Sequence, residues 1–131
     1  MNRFWGMLAA AFQEDKPDTI GKKTDFCKRH RLALYDVIES CTIVGSSDSS
    51  IKDIVFADIL GLCRQAGIKR ILLNGKTAGK TFQKYLMTLD DPSRLPESVV
   101  LPSTSPANAA CSMDKLIEVW RAVLIDFTTF K

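Results

Sequence analysis

The chain has 131 residues, of which 46% are hydrophobic and 25% are charged, and its formal net charge at pH 7 is +3. These values fit one soluble domain over residues 1–131 that is large enough to bury a real core. No apolar run approaches the roughly 18 residues that a membrane-spanning helix needs, and no cleavable signal segment is visible. We therefore expect a cytoplasmic protein without a membrane partner.

Hydrophobic periodicity and turn residues divide the first half of the chain. In chain order they predict a helix over residues 3–13, a break over 15–23, a short helix from Thr24 to about His30, a strand near 32–35 and a loop over 36–50. The loop ends in glycine and serine, and we expect it to face a ligand cleft.

The second half alternates helices with compact β-like runs. It predicts a helix over residues 56–65 closed by Gly67, a strand over 69–73, a helix from Gly75 through Leu89, a buried strand over 98–101 and a helix over about 113–127 that Ser112 can cap. Strands separated by helices indicate an α/β fold with a parallel sheet covered on both faces.

Ligand sites of such sheets lie at the carboxyl ends of the strands. Asp36 follows the first predicted strand, Asn74 follows the second, and residues 102–108 follow the third. We therefore expect these polar residues to line one shared pocket.

Residues 101–108, Leu-Pro-Ser-Thr-Ser-Pro-Ala-Asn, are the most informative stretch. Three adjacent hydroxyls and the amides around them can bond phosphate oxygens, while Pro102 and Pro106 reduce the entropy lost when the loop becomes ordered. The alternative interpretation is a capped strand-to-helix connection without chemistry.

This stretch resembles the second active-site motif of the uracil-DNA glycosylase superfamily. The resemblance is to the branch of the DNA-deoxyinosine (hypoxanthine) glycosylases and, more distantly, the mismatch-specific uracil and thymine glycosylases. Three further segments fit in the family's order: Asn2-Arg3-Phe4-Trp5, residues 33–41 continuing to 45–51, and residues 71–76, which end in Asn-Gly-Lys.

The resemblance implies a three-layer α/β/α sandwich with a short parallel sheet. It implies a monofunctional DNA repair glycosylase that hydrolyses the N-glycosidic bond of uracil or hypoxanthine flipped out of DNA, with no metal and no organic cofactor. Asn2 matches the asparagine to which the family assigns a catalytic role, here the positioning of water. Asn74 would hydrogen-bond the base or order water. The alternative role for its side chain is to stabilise the turn at Asn-Gly.

Base recognition and phosphate binding follow from the same resemblance. The candidates for contact with the base are Asp36, Phe4, Trp5 and Tyr35, and those for DNA phosphate are Pro102, Ser103, Thr104, Ser105 and Asn108. Asp36 can equally cap a turn. Aromatic side chains on an amphipathic helix are more often core residues.

The chain departs from the family pattern at two places. Leu101 stands where the first-described uracil glycosylases carry a histidine that donates to the leaving base. Relatives also carry, ahead of the Asn-x-Phe-Trp segment, a first strand and a Gly/Pro-containing active-site loop, whereas this sequence begins at Met1. Compared with the family pattern the sequence is N-terminally truncated: either its start was assigned too late, or it was trimmed, or a natural short form compensates the missing strand by rearrangement or dimerisation.

Basic residues cluster near the predicted second helix. The cluster consists of Lys22, Lys23, Lys28, Arg29 and Arg31, and Asp25 is the one acidic residue among them. It is a candidate DNA-facing surface or an ordinary solvated surface. His30 has no evident partner in the sequence and is interpreted as a surface or phosphate-contacting residue. DNA with a damaged base is the expected partner, and the nucleoid the expected location.

Cys27, Cys41, Cys63 and Cys111 are scattered without a C-x-x-C pair. We expect buried or incidental thiols and neither a metal site nor a disulfide framework.

Two other functions remain open. Residues 69–81 resemble a phosphate-binding loop, with Asp126 as a possible magnesium ligand, but only three residues separate Gly75 from Gly79-Lys80-Thr81, where the motif needs four. The other alternative is a catalytically impaired, glycosylase-like DNA-binding module.

Overall fold

The computed structural model describes residues 2–43 and 51–129. In chain order its elements are α1 (Phe4–Ala11), α2 (Ile20–Arg29), β1 (Ile38–Ile43), β2 (Ile51–Phe56), α3 (Ile59–Ala66), β3 (Arg70–Asn74), α4 (Lys76–Leu86), a 3₁₀ turn (Pro92–Arg94), β4 (Glu97–Leu101) and α5 (Met113–Thr129). None of the helices within these two ranges combines the length and the apolar character needed to traverse a bilayer. Residues 45–50, part of the segments that resemble the glycosylases, lie outside the described residues.

The chain forms two compact units. The first comprises residues 1–34, 74–76 and 100–131, and the second comprises residues 35–73 and 77–99. Each unit buries its own set of apolar side chains. The single domain over residues 1–131 stays a prediction.

The core of the first unit lies where α1 packs against α5. The predicted helical spacing is confirmed, because the apolar faces of these two helices become the core: Met7, Leu8, Ala11, Leu116, Trp120 and Leu124 are each 3% exposed or less. Ser112 caps α5 as expected, since its Oγ accepts a hydrogen bond from the backbone N–H of Lys115 at 3.2 Å. The two helices thereby fix the amino-terminal segment against the carboxyl-terminal helix.

The second helix begins earlier than predicted. The sequence interpretation placed a break over residues 15–23 and a cap at Thr24, but α2 starts at Ile20, where Thr19 caps it by accepting a hydrogen bond from Lys22 N at 3.1 Å. Thr24 lies inside the helix and donates its hydroxyl to the carbonyl of Ile20. The expectation was wrong because Gly21, exposed in the first turn, lowers helix propensity without breaking the helix.

The second unit has a core of its own around α3 and α4. The side chains of Ala57, Ile59, Cys63, Leu73, Phe82 and Tyr85 form its buried cluster. Asp58 caps α3 by accepting from Gly61 N at 3.0 Å, and Gly67 ends the helix at a φ of 64°. The predicted helix and its closing glycine are confirmed, although the helix begins at Ile59 rather than at residue 56.

The predicted first strand and loop were placed wrongly. Residues 32–35 form no strand, whereas residues 38–43, expected in a loop, form β1 and pair antiparallel with β2. Ile38, Thr42 and Ile43 are β-branched and favour extended backbone, a preference that the glycines and serines farther along obscured. The hairpin pairs Ile38 with Phe56 and Ile43 with Ile51.

The other two strands fall where the sequence predicted them. β3 and β4 form a two-stranded parallel sheet joined through α4, so the chain is a mixed α/β protein with a small parallel sheet. Residues 32–35, predicted as a further strand of this sheet, form no strand. Asn74 closes β3 and Leu101 closes β4, so both residues stand at carboxyl ends of parallel strands.

The nucleotide-binding alternative fails on secondary structure. A phosphate-binding loop needs free backbone amides, but Gly79, Lys80 and Thr81 lie inside α4, where the helix uses those amides. Asp126, the possible magnesium ligand, lies in α5 rather than on a strand.

His30 is part of an ion-pair cluster that ties α2 to the residues after α1. Its ring stacks on Phe12 with centroids 3.9 Å apart, and its Nε2 is hydrogen-bonded to Glu14. Arg29 donates to the same carboxylate at 2.7 Å. The expectation that His30 has no acid-base partner was wrong, because Glu14 reaches it from outside its helix.

Glu14 makes this cluster sensitive to pH. Desolvation raises the pKa of the Glu14 carboxyl, but hydrogen bonds from Arg29 and His30 outweigh it and hold that pKa below its usual value. A depressed carboxyl pKa stabilises the fold above the unfolded-state value of about 4.3, and this stabilisation is lost as pH falls through the folded-state pKa.

We expect Glu14→Gln to separate this contribution in urea denaturation at a series of pH values. The stability difference between wild type and the variant should shrink at acidic pH as the carboxylate is protonated. Glu118→Gln is the matched control, because Glu118 meets Lys115 at 3.5 Å in an exposed pair, which contributes little. A Glu14→Gln difference that stays constant down to about pH 3 would contradict this role.

Candidate functional site

The loop after β4 is fixed at its start by two bonds. The backbone N–H of Gly75 donates to the carbonyl of Leu101 at 2.8 Å, and the indole Nε1 of Trp120 donates to the carbonyl of Pro102 at 2.9 Å. Gly75 has a φ of 100°, and a Cβ there would lie 2.9 Å from the Cβ of Ser103. Only glycine therefore lets the turn after β3 approach the loop this closely.

Arg3 holds the rest of this loop by its backbone. Its guanidinium donates to the carbonyls of Cys111 at 2.7 Å and of Ser105 and Asn108 at 3.1 Å each. Its own backbone N–H donates to the carbonyl of Thr104 at 3.0 Å. Because one planar fork spans several carbonyls, Arg3 fixes the curvature of residues 104–111.

Asn74 and Thr104 form a reciprocal pair. The backbone N–H of Thr104 donates to Oδ1 of Asn74 at 3.0 Å, and Nδ2 of Asn74 donates to the hydroxyl of Thr104 at 2.9 Å. Thr104 is fully buried, at 0% exposure. Asn74 therefore anchors the loop with both ends of its amide.

Asn2 joins this pair from the amino-terminal segment. Its Oδ1 accepts from the hydroxyl of Thr104 at 2.8 Å and from the backbone N–H of Phe4 at 2.9 Å. The structure thus brings together Asn2, Asn74 and Thr104, which we call the amide–hydroxyl network. Asn2 itself is exposed, so the network reaches from a buried hydroxyl to solvent.

The remaining polar residues of the loop hold its local turns. The hydroxyl of Ser103 accepts from Ser105 N at 3.1 Å, and that of Ser105 accepts from Ala107 N at 3.2 Å. Asn108 Nδ2 donates to the carbonyl of Ser103 at 3.1 Å. Ser103 and Ser105 are partly exposed and keep their hydroxyl protons for another acceptor.

Thr104 differs from the two serines that flank it. Its hydroxyl donates to one asparagine and accepts from the other, and it is shielded from solvent. The Thr104 hydroxyl is thus committed inside the protein, and phosphate binding by the three hydroxyls of this loop stays a prediction.

Phe4 and Trp5 take part in a cluster of edge-to-face rings. The ring of Phe4 lies 5.3 Å from Trp5 and 6.1 Å from Trp120, and Trp5 lies 6.3 Å from Phe26. Both are half-buried, and the ammonium of Lys23 lies 5.3 Å above the Trp5 ring. These contacts give the two residues a packing role, and their contact with a base stays a prediction.

Tyr35 and Asp36 belong to the second unit and are exposed. The amide–hydroxyl network consists of first-unit residues alone. Base recognition by Tyr35 and Asp36 therefore also stays a prediction.

Much of the predicted basic cluster is engaged in contacts within the protein. Lys22 pairs with Asp18 at 3.1 Å, Arg29 bonds both Glu14 and Asp25, and Lys23 covers Trp5. Asp18 and Glu14 precede the cluster in sequence, so counting charges within the cluster itself missed these contacts.

Three of the cysteines are free thiols: Cys27, Cys63 and Cys111. Burial raises the pKa of the Cys27 and Cys63 thiols. A raised pKa leaves less of the nucleophilic thiolate at neutral pH, so these two side chains behave as packing residues.

Similarity to a known protein runs along almost the whole chain. Over 124 residues the chain is 33% identical to a protein of Methanosarcina acetivorans named hypoxanthine DNA glycosylase. The alignment covers 93% of this chain and 74% of that relative. No family model matches the chain, and no solved structure matches it.

Sequence reasoning missed Arg3 as a site residue, although it stands next to Asn2. We expect Arg3→Lys to lower the free energy of unfolding by about 2 kcal/mol, because one ammonium cannot reach the carbonyls that the guanidinium bonds. Urea denaturation followed by tryptophan fluorescence measures this, since Trp5 and Trp120 both lie in the first unit.

Arg121→Lys, at an exposed position of α5, is the matched control. It should change the free energy of unfolding by less than about 0.5 kcal/mol. Equal effects in the two variants would contradict the role given to Arg3.

Proposed function

We propose that this chain, which belongs to the hypoxanthine DNA glycosylase branch of the uracil-DNA glycosylase superfamily, releases hypoxanthine from DNA by hydrolysing its N-glycosidic bond. Uracil is the second candidate base. The observation that carries the proposal is the amide–hydroxyl network, in which the exposed Asn2 side chain is bonded to the buried Thr104 of the loop after β4.

The chemistry requires hydrogen-bond donors near the leaving base. As the C1′–N bond stretches, the sugar becomes cation-like and the base gathers negative charge, and a preorganised donor lowers the barrier most where charge develops. Asn2 supplies an exposed side-chain amide for contact with the base or with the attacking water. Asn74 supports it indirectly, because its own amide is committed to Thr104.

In this proposal the loop after β4 binds the DNA backbone. Ser103 and Ser105 donate their free hydroxyl protons to phosphate oxygens, while Pro102 and Asn108 keep the loop in shape. Such contacts position the DNA without reading its sequence. Affinity should therefore fall as salt rises.

Selectivity begins with pairing strength. Hypoxanthine and uracil arise by deamination and pair poorly with the base left opposite, so extruding them costs less than extruding a normal base. Contact of the extruded base with Phe4 and Trp5 completes the proposal. The three-layer α/β/α sandwich of the resembling family is proposed for the assembled fold.

Base release from defined duplexes tests the function. Wild type incubated with DNA carrying one hypoxanthine or one uracil should leave abasic sites that alkali converts to strand breaks, with no breaks before alkali because the enzyme is monofunctional. Asn2→Ala should slow release by about 10²- to 10³-fold, the cost of removing one transition-state donor.

Gln65→Ala removes an exposed side-chain amide from α3 and should leave the rate unchanged. DNA binding without base release in the wild type would favour the non-catalytic DNA-binding module instead.

A further inference from the structure

We infer that Thr104 is a positioning residue that turns the Asn2 amide so that it serves the reaction as a hydrogen-bond donor. The inference rests on the proposed glycosylase function and adds to it that Asn2 acts as the donor, not the acceptor, of the catalytic hydrogen bond. Its basis is the chain of three hydrogen bonds from Asn74 through Thr104 to Asn2.

The orientation of Asn74 is fixed by a group that can only donate. The backbone N–H of Thr104 lies 3.0 Å from one end of the Asn74 amide, so that end is the oxygen. The NH₂ end then faces the Thr104 hydroxyl at 2.9 Å and donates to it. The hydroxyl proton of Thr104 must therefore point elsewhere.

The orientation of Asn2 is fixed in the same way. The backbone N–H of Phe4 lies 2.9 Å from one end of its amide, so that end is the oxygen. The Thr104 hydroxyl reaches the same atom at 2.8 Å and donates its remaining proton there. Both lone pairs of the Asn2 oxygen are thus occupied, while its NH₂ group has no bond to any of residues 2–43 and 51–129.

This arrangement restricts what Asn2 does in the reaction. An oxygen that already accepts two donors cannot take a proton from water, but the NH₂ group of the exposed Asn2 side chain is free to donate to a bound acceptor. The electron pair of the C1′–N bond leaves with the base, the water oxygen bonds to C1′, and the water proton passes to solvent, from which the anionic base is protonated. The departing base becomes a stronger hydrogen-bond acceptor during these steps because it gains negative charge, and Asn2 donates to it.

Thr104→Val and Thr104→Ser test the positioning role. Valine has nearly the shape of threonine but neither donates nor accepts, so it should lower the single-turnover rate of base release by about 10- to 100-fold, as expected for a misplaced catalytic group. The dissociation constant for DNA should change less than twofold, and serine should restore the rate. Thr88→Val, which removes the hydroxyl of an exposed threonine bonded to the carbonyl of Tyr85, is the matched control.

Asn2→Asp tests the direction of the contact. A carboxylate still accepts from Phe4 and Thr104 but offers no donor, so at neutral pH this variant should be as slow as Asn2→Ala. A catalytic oxygen acceptor would instead tolerate or favour the carboxylate. Wild-type-like activity in Asn2→Asp would therefore overturn the inference.

Side-chain amide signals in ¹H–¹⁵N NMR spectra of the free protein separate the inference from the proposed function. Thr104→Val should shift the signals of Asn2 and Asn74, and Thr104→Ser should leave them close to wild type. If these shifts occur and the wild type releases no base, the positioning stands and the proposed function fails. If the wild type releases base and Thr104→Val changes neither the signals nor the rate, the inference fails alone.

Discussion

The buried hydroxyl of Thr104 is the constraint on which the candidate site depends. A hydroxyl at 0% exposure must find partners inside the protein, because an unsatisfied one costs about 1–3 kcal/mol. Its partners, Asn2 and Asn74, stand 102 and 30 residues away along the chain. One polar atom thereby joins the amino-terminal segment, the end of β3 and the loop after β4.

The surrounding contacts make that junction rigid. Arg3 bonds the loop's carbonyls, Trp120 bonds its first carbonyl, and Gly75 allows the turn after β3 to lie against it. Among the described residues, no buried side-chain nitrogen or oxygen lacks a partner. A fully satisfied polar network of this kind specifies one arrangement of its members, which a catalytic amide needs.

Local patterns predicted the parts of this structure that depend on near neighbours. Helical spacing found α1 and α5, and a capping serine located the start of α5. Local composition missed β1 because that strand is stabilised by pairing across a hairpin. It missed the early start of α2 because Thr19 caps the helix, and it missed the partner of His30 because Glu14 reaches the ring from outside the helix. The resemblance pointed to Asn2 and Asn74, but it could not separate Thr104 from the serines beside it, since burial of one hydroxyl among three is decided by tertiary contacts.

Hydrogen exchange at the backbone amide of Thr104 tests the central claim most directly. This N–H donates to the side chain of Asn74 rather than to a helix or a sheet, so its protection depends on the network. The account predicts protection comparable to that of core amides in α1 and α5, such as Leu8 and Leu116. Exchange as fast as at the exposed loop residues Ala109 and Ala110 would contradict it.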